Sequence, residues 1–513
     1  RPNNERAFQI RTSSGSVDKH WWLRDQDVDV AAPPNAPLLA LIDDVDTGAS
    51  GDMDADNVNE AYEKLSRLIE TLEKSAAHPL VIDQGWQQAA RTAESLSRRT
   101  EALRQLPETT RRLVAVTKRL LALPVKKERD VDNDATPSVG GVEADALEAA
   151  LNLAFLDPTT ADQLLPDIRS HVVAPRAAAR LAIMSRLNQL SETAPDHMWE
   201  IAETVAAEEQ NSEVLRFVLS FLNQLVHVDP ERVEGMVLYL LRRGVLASPK
   251  AKREIEGATG NVLALLWVSH ERASARAIID EWLERPEEHK EEFGQIAFCI
   301  RSGLVLGYDH EDVKDDLIRR RCQELAAHVI EVTASMLDAY LETPPDEIGP
   351  DGPDRAGALA QIMDRMSDQF YFASGATAER HRNESATLST PALRLRFLKE
   401  NHTTLWRIGT SGTPHTIYHL IELMDFLSDA DPPTVFDHVA HALLVGGRRH
   451  GFHFESLGAN RFVKVIGRFL ADYRSLFNEP KRRSQLIECL NVFAQAGWPA
   501  ARRLLFQLPE LLR

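Results

Sequence analysis

From about Asn57 to its C-terminus the chain is a succession of amphipathic helical stretches, each bounded by Pro, Gly or Asp-Pro. Apolar residues recur at helical spacing. Val58, Tyr62, Leu65, Ile69 and Leu72 make one stripe, and Trp86, Ala90, Ala93, Leu96, Leu103 and Leu106 continue the pattern. An amphipathic helix needs a neighbour to cover its stripe, so many of them in series must stack on one another. The expected fold class is all-α: an α-solenoid of irregular TPR- or HEAT-like helix pairs, preceded by a short irregular or β-hairpin segment. No fixed period runs through the chain, and the Trp/Leu/Gly/Tyr pattern of a standard TPR is missing.

The first 56 residues read differently from the rest. Ala7 to Arg11 alternates, Ser13 to Ser16 suggests a turn, and Val17 to Leu23 could return as a second strand. The Ala/Pro stretch from Ala31 to Pro37 and the acidic stretch from Asp43 to Asp56 read as linker. Residues 57–125 are expected to form a helical bundle or the first repeats, with stops at Pro79, Pro107 and Pro124. Residues 126–141 lack apolar periodicity and make the best domain boundary. A helical-repeat domain over 142–345, a linker-rich segment with one helix over 346–390 and a C-terminal helical domain over 391–513 complete the expected organisation. Because the chain begins Arg-Pro-Asn-Asn, it is expected to start inside a longer polypeptide, with any catalytic domain upstream.

At 513 residues, a single compact core is too small to hold the chain. The longest candidate apolar run, Val262 to Val268, falls far short of a membrane span. Three widely separated cysteines, Cys299, Cys322 and Cys489, read as buried thiols in a reducing compartment, the cytoplasm. The net charge of −18 argues against broad binding to nucleic acid or an anionic membrane. Charge is unevenly placed, however: residues 448–513 carry 12 Lys/Arg against 5 Asp/Glu. Such a basic end offers contacts for a phosphate, an acidic partner or another subunit, although a solvated helix face accounts for it as well.

Little of the sequence carries chemistry. Asp52, Asp54, Asp56 and Glu63 match positions one, three, five and twelve of a calcium loop, with Glu60 nearby. Asn57 stands where glycine is wanted, however, and a helix cap explains the same residues. Six of the 17 histidines fall within residues 415–453: His415, His419, His438, His441, His450 and His453. His415/His419 and His438/His441 have spacings that metal ligands use, and Asp437 and Glu455 could join them. The competing reading is ordinary packing at helix ends around Gly446-Gly447-Arg448-Arg449. No P-loop, GxGxxG, GxSxG or HExxH motif occurs, so no cofactor and no catalytic residue is expected.

The run from His450 through Gly451-Phe452-His453-Phe454-Glu455-Ser456-Leu457 to Gly458, then Phe462-Val463 to Tyr473, then Gly497-Trp498-Pro499-Ala500-Ala501-Arg502-Arg503-Leu504, resembles the C-terminal end of large bacterial NTPase-linked proteins. These are similar to the STAND class of antiviral sensors, in which an effector and an NTPase precede a helical-repeat sensor. The resemblance covers about 65 residues and implies that this chain is the sensor or scaffold part.

Function is therefore expected to be recognition of a protein ligand or of other subunits in a larger assembly, with antiviral defence as the specific form. Binding residues are sought among Arg448, Arg449, His450, Arg502 and Arg503. Two alternatives are a metal-dependent hydrolase centred on residues 415–455, and nucleic-acid binding through the basic C-terminal helices.

Overall fold

A computed structural model describes residues 20–48, 54–124, 141–174, 176–243, 249–310, 312–344, 347–377, 387–449, 451–454 and 456–511. These residues form twenty-four α-helices joined by short turns and 3-10 segments, and no strand occurs among them. The described fold is all-α, a succession of irregular helices that pack on their neighbours within each unit. None of the described helices is long and apolar enough to cross a membrane. Two compact units divide the chain. One comprises Arg1–Leu225 and Tyr239–Ala251, the other Val226–Leu238 and Lys252–Arg513.

In the first unit, helix Val142–Ala154 is the piece around which the others are arranged. Its sequence is alanine- and leucine-rich on nearly every side, and ten of its thirteen residues are buried. A helix that is apolar all round must be surrounded. It packs on Pro79–Ser97, Pro107–Leu121, Pro158–Ser170 and Ala177–Arg186. One polar contact is buried with it: Asn152 donates to Ser97 Oγ at 2.9 Å. Helices on both sides of residues 126–141 thus belong to one unit; residues 126–140 lie outside the described residues.

Several local expectations are corrected. The end of the first linker stretch, residues 36–37, and the start of the second, residues 43–48, instead belong to one helix, Ala36–Gly48, whose Leu38, Leu39, Ile42 and Val45 are buried. It packs on helices Ala55–Lys74 and Pro79–Ser97. Asn35 helps hold this entry, donating to the Asp29 carbonyl at 2.7 Å and accepting from the His78 amide at 2.8 Å. The proposed returning strand ends instead in a short helix, Trp21–Arg24, with Leu23 fully buried; residues 1–19 of the hairpin lie outside the described residues. Pro79 and Pro107 open helices rather than stop them, because the first helical turn has no use for the missing N–H. The calcium loop is also replaced by helix chemistry. Asp54 caps helix Ala55–Lys74 by accepting from the Asn57 amide at 2.9 Å, Glu60 pairs with Lys64, and Glu63 pairs with Arg112. Asp52 lies outside the described residues.

In the second unit the corresponding central element is helix Gly352–Ser374. It packs on Lys290–Ile300, Val313–Glu342 and Pro414–Leu427 through Leu359, Ile362, Met363, Met366 and Phe370, all buried. Nearby, helix Pro249–His270 approaches helix Lys290–Ile300 closely at Gly260, where a Cβ would stand 2.6 Å from the Glu292 carbonyl oxygen.

Among the described residues, the largest fully buried side chain is a cation, Arg319. Its Nη1 lies 2.6 Å from Asp316 and donates to the Leu306 carbonyl at 2.7 Å, and its Nε donates to Glu400 at 3.2 Å. Tyr308 lies against the guanidinium groups of both Arg319 and Arg396, at 4.6 and 4.8 Å, and donates its hydroxyl to Glu400 at 2.6 Å. Burial raises the Glu400 pKa, but hydrogen bonds from Tyr308 and Arg396 and the Arg319 charge outweigh it and hold the carboxyl below its usual range. Glu400→Gln takes from the buried guanidinium one of its two carboxylate partners and leaves Asp316 in place, and losing a charged hydrogen-bond partner in this way costs about 2 kcal/mol. Because the folded-state pKa is the lower one, the stabilisation is present above the unfolded value and is lost as pH falls through the folded value. Thermal melts of Glu400→Gln are expected to show a clear deficit at neutral pH that narrows in acid; an equal deficit at both pH values would contradict this assignment.

Candidate functional site

The structure divides the four metal-candidate histidines between two helices and two sets of partners. His415 and His419 sit one turn apart on helix Pro414–Leu427. Thr413 caps that helix by accepting from the Thr416 amide at 3.3 Å, and Pro414 occupies its first position. Facing them on helix Gly352–Ser374 are Asp364 and Asp368, also one turn apart. Asp368 bridges both imidazoles. Its Oδ1 lies 2.6 Å from His419 Nδ1 and its Oδ2 lies 3.3 Å from His415 Nε2.

Each member is held differently. The His419 ring stacks on Tyr371, with centroids 4.8 Å apart and planes 7° from parallel. His415 is the exposed member, with 58% of its side chain accessible, against 19% for His419 and 16% for Asp368. Asp364 accepts hydroxyls from Thr413, at 2.7 Å, and from Thr416, so it clamps the residues on either side of His415. Burial pushes the Asp364 carboxyl up to about 6, against the opposing effects of the Thr413 bond and the His415 charge. Ligand atoms of Asp368, His415 and His419 all lie within 4.8 Å of one another. Asp368, which the sequence reading missed, lies about fifty residues upstream of these histidines, and no local pattern announces it.

His438 and His441 belong elsewhere. Both lie on helix Pro432–Ala442 and meet helix His402–Ser411. His438 is 1% exposed, its Nε2 is 2.8 Å from His402 Nδ1, and its Nδ1 has no hydrogen-bond partner among the described residues. His441 stacks on Trp406 at 3.8 Å and its Nε2 lies 2.9 Å from Thr410 Oγ1. Asp437, a suggested orienting group, instead takes a two-pronged contact from Arg482 at 3.0 and 2.9 Å. Glu455 lies outside the described residues.

The candidate binding arginines are not gathered into one site. Arg448 pairs with Glu488 at 2.8 Å, and Arg449 pairs with Asp338 and, at 3.1 Å, with Glu342. Arg502 donates to the Ala494 carbonyl at 3.0 Å, Arg503 is exposed, and His450 lies outside the described residues. Much of the basic C-terminal excess is spent in the same way, since Arg461 and Arg468 both hold Asp425. The glycines beside Arg448 have a packing role. A Cβ on Gly446 would lie 2.5 Å from the Gly409 carbonyl oxygen, so only a glycine lets these two backbones touch. Cys322 and Cys489 are buried and Cys299 is half-buried; burial pushes the Cys299 thiol up to about 12, which makes it unreactive near neutral pH.

A second surface lies beside the Asp368 pair, and it was not anticipated. The Arg301 guanidinium is 4.8 Å from the Phe298 ring and 4.9 Å from the Phe372 ring, and its Nε donates to Gln369 at 2.7 Å. Phe298 is 62% exposed, and Phe372 meets the edge of His419 at 6.1 Å. Arg301 has no carboxylate partner among the described residues, unlike most arginines of this unit.

Against known proteins, the chain matches no family profile and no curated sequence. Solved structures with some likeness include a homology model of the full-length AP-3 complex in an intermediate open conformation, at 12% identity and TM-score 0.28, covering 94% of each chain. They also include the karyopherin Kap121p bound to the extreme C-terminus of the protein phosphatase Cdc14p, at 10% identity and TM-score 0.29, covering 89% of this chain and 60% of that one. A circular tandem repeat protein follows, at 14% identity and TM-score 0.23, covering 93% and 98%.

Burial pushes His438 down to about 3, with the His402 and His441 charges adding to it. The ordinary histidine value of about 6.5 governs the unfolded chain. Between the two values the folded protein binds fewer protons, so stability is full above the unfolded value and declines as pH falls, by up to about 1.4 kcal/mol per pH unit for one proton. We expect melting temperatures to fall between pH 7.5 and pH 5, and His438→Gln to flatten that dependence. An unchanged slope in the variant would show that the sensitivity arises elsewhere.

Proposed function

We propose that this chain is a non-catalytic protein-binding scaffold, and that the second unit engages its partner through the surface around Arg301. The observation that carries the proposal is the contact of one guanidinium with two aromatic rings, one of them largely exposed. Exposed apolar side chains scattered singly mean little. Here an exposed Phe is continuous with an Arg whose geometry is already fixed, and rigid aromatic and Arg side chains are the anchors that dominate protein interfaces. A guanidinium without a counter-charge favours a partner segment that presents a carboxylate beside an apolar side chain. The solenoid supports the reading because stacked helices present wide, preformed surfaces.

The finer form of the reading is a sensor in antiviral defence, in which the ligand favours one state of attached effector domains. It is supported by the resemblance across residues 450–513, and requires the ligand to bind the two states with different affinity. Nucleic-acid binding has less in its favour, since Arg448, Arg449, Arg461, Arg468 and Arg482 are all held by carboxylates.

The test is capture of partners from the native host, with and without viral challenge, using the parent chain and the variants Phe298→Ser and Arg301→Glu. A specific protein captured by the parent should be depleted about 10-fold or more by either variant, with melting temperatures within a few degrees of the parent. If every captured protein is retained by both variants, the assigned surface is wrong.

A further inference from the structure

We propose that Asp368, His415 and His419 form a binding site for one divalent transition metal ion, zinc foremost, with a coordination position open to solvent. The inference is independent of the Arg301 surface and assigns no catalysis. Its basis is geometric. Helices Gly352–Ser374 and Pro414–Leu427 face each other, one supplying a carboxylate and the other two imidazoles one turn apart. Side chains projecting from facing helices into a shared space are the way helical proteins build metal centres.

The distances suit a small ion. Zinc binds imidazole nitrogen at about 2.0–2.1 Å and carboxylate oxygen at about 2.0–2.2 Å, so its ligand atoms stand about 3.3 Å apart around a tetrahedron. All three ligand atoms already fall within 4.8 Å of one another, and the His415 Nε2 to Asp368 Oδ2 separation is 3.3 Å. The His419 Nδ1 to Asp368 Oδ1 separation of 2.6 Å is a hydrogen bond that an ion would replace by moving between the two atoms. His415, mostly exposed, has the freedom to make the remaining adjustment. Two imidazoles with one carboxylate favour zinc and its transition-metal neighbours over calcium or magnesium, which take oxygen ligands. Three protein ligands leave the fourth position of a tetrahedral ion to water or to a partner's side chain.

Surrounding contacts preorganise the group. Tyr371 fixes the His419 ring by stacking at 4.8 Å. Asp364 binds the hydroxyls of Thr413 and Thr416 and so pins the first turn of the helix that carries His415. Loose surface histidines would have neither support.

The experiment is calorimetric titration of zinc into the metal-stripped full chain, repeated with His415→Ala, Asp368→Asn and the control His310→Ala. His310 is another exposed histidine, placed between Asp309 and Asp315, and so reports non-specific uptake by histidine–carboxylate pairs. Melts in EDTA establish that every variant folds as the parent does. The parent should bind one saturable equivalent and melt at higher temperature when loaded. His415→Ala and Asp368→Asn should each weaken that equivalent by at least about 10-fold and abolish the shift, while His310→Ala changes neither. Cobalt in place of zinc should give the visible absorption of a tetrahedral nitrogen–oxygen site in the parent and lose it in the two ligand variants. No saturable equivalent in the parent, or one retained by both ligand variants, would overturn the proposal.

Discussion

A helix of about a dozen residues is marginal in water, because the cost of its first turn is repaid only by a tertiary neighbour covering its apolar face. Everything in this chain depends on that covering contact. Helix Val142–Ala154 shows its full extent, buried by four other helices and carrying alanines where partners approach. Gly260 against Glu292 and Gly446 against Gly409 show the same requirement at the backbone level, where even a methyl group would hold the neighbours apart. Within each unit, stability is then assembled from many helix-to-helix contacts.

Polar chemistry is fitted into the seams that this packing leaves. Arg319 and Glu400 tie helix Val313–Glu342 to helix Pro391–Glu400, with Tyr308 against the cation. Arg461 and Arg468 on helix Ser456–Asp472 converge on Asp425 of helix Pro414–Leu427. Such pairs add modest net stability over an apolar seam of equal shape, but their geometry specifies which neighbour fits where. Arg301 differs because two aromatic rings, rather than a carboxylate, lie against its guanidinium, and Asp368 differs because two imidazoles meet it. Those two departures mark where the surface has chemistry to offer.

The helical content was legible because a stripe at three- and four-residue spacing survives without any knowledge of partners. Helix ends were less so. Pro79 and Pro107 punctuate the sequence, but punctuation alone does not say whether a proline closes one helix or opens the next. Helix Ala36–Gly48 carried its own signal in Leu38, Leu39, Ile42 and Val45, obscured by prolines before it and by Asp43 and Asp44 within it. At the candidate site, His415 and His419 were visible as a pair, whereas Asp368 became their partner only when a helix about fifty residues upstream packed alongside. Arg301 and Phe372 are seventy-one positions apart and carry no shared motif. Side chains that meet across helices leave no local trace, and that is where recognition chemistry sits in a fold of this kind.

Hydrogen exchange, followed peptide by peptide after one core cavity is made, tests the neighbour-by-neighbour account most directly. Phe493 stacks on Phe462 at 4.2 Å and meets Phe452 edge-on at 6.3 Å, so Phe493→Ala removes a contact shared by the last helices. Such truncations cost about 3–5 kcal/mol. If stability is built from local interfaces, exchange should accelerate across helices Ser456–Asp472, Pro480–Gln495 and Pro499–Leu511 while Lys290–Ile300 and Val313–Glu342 keep their protection. An equal loss of protection through the whole second unit would mean one cooperative core, and would contradict it.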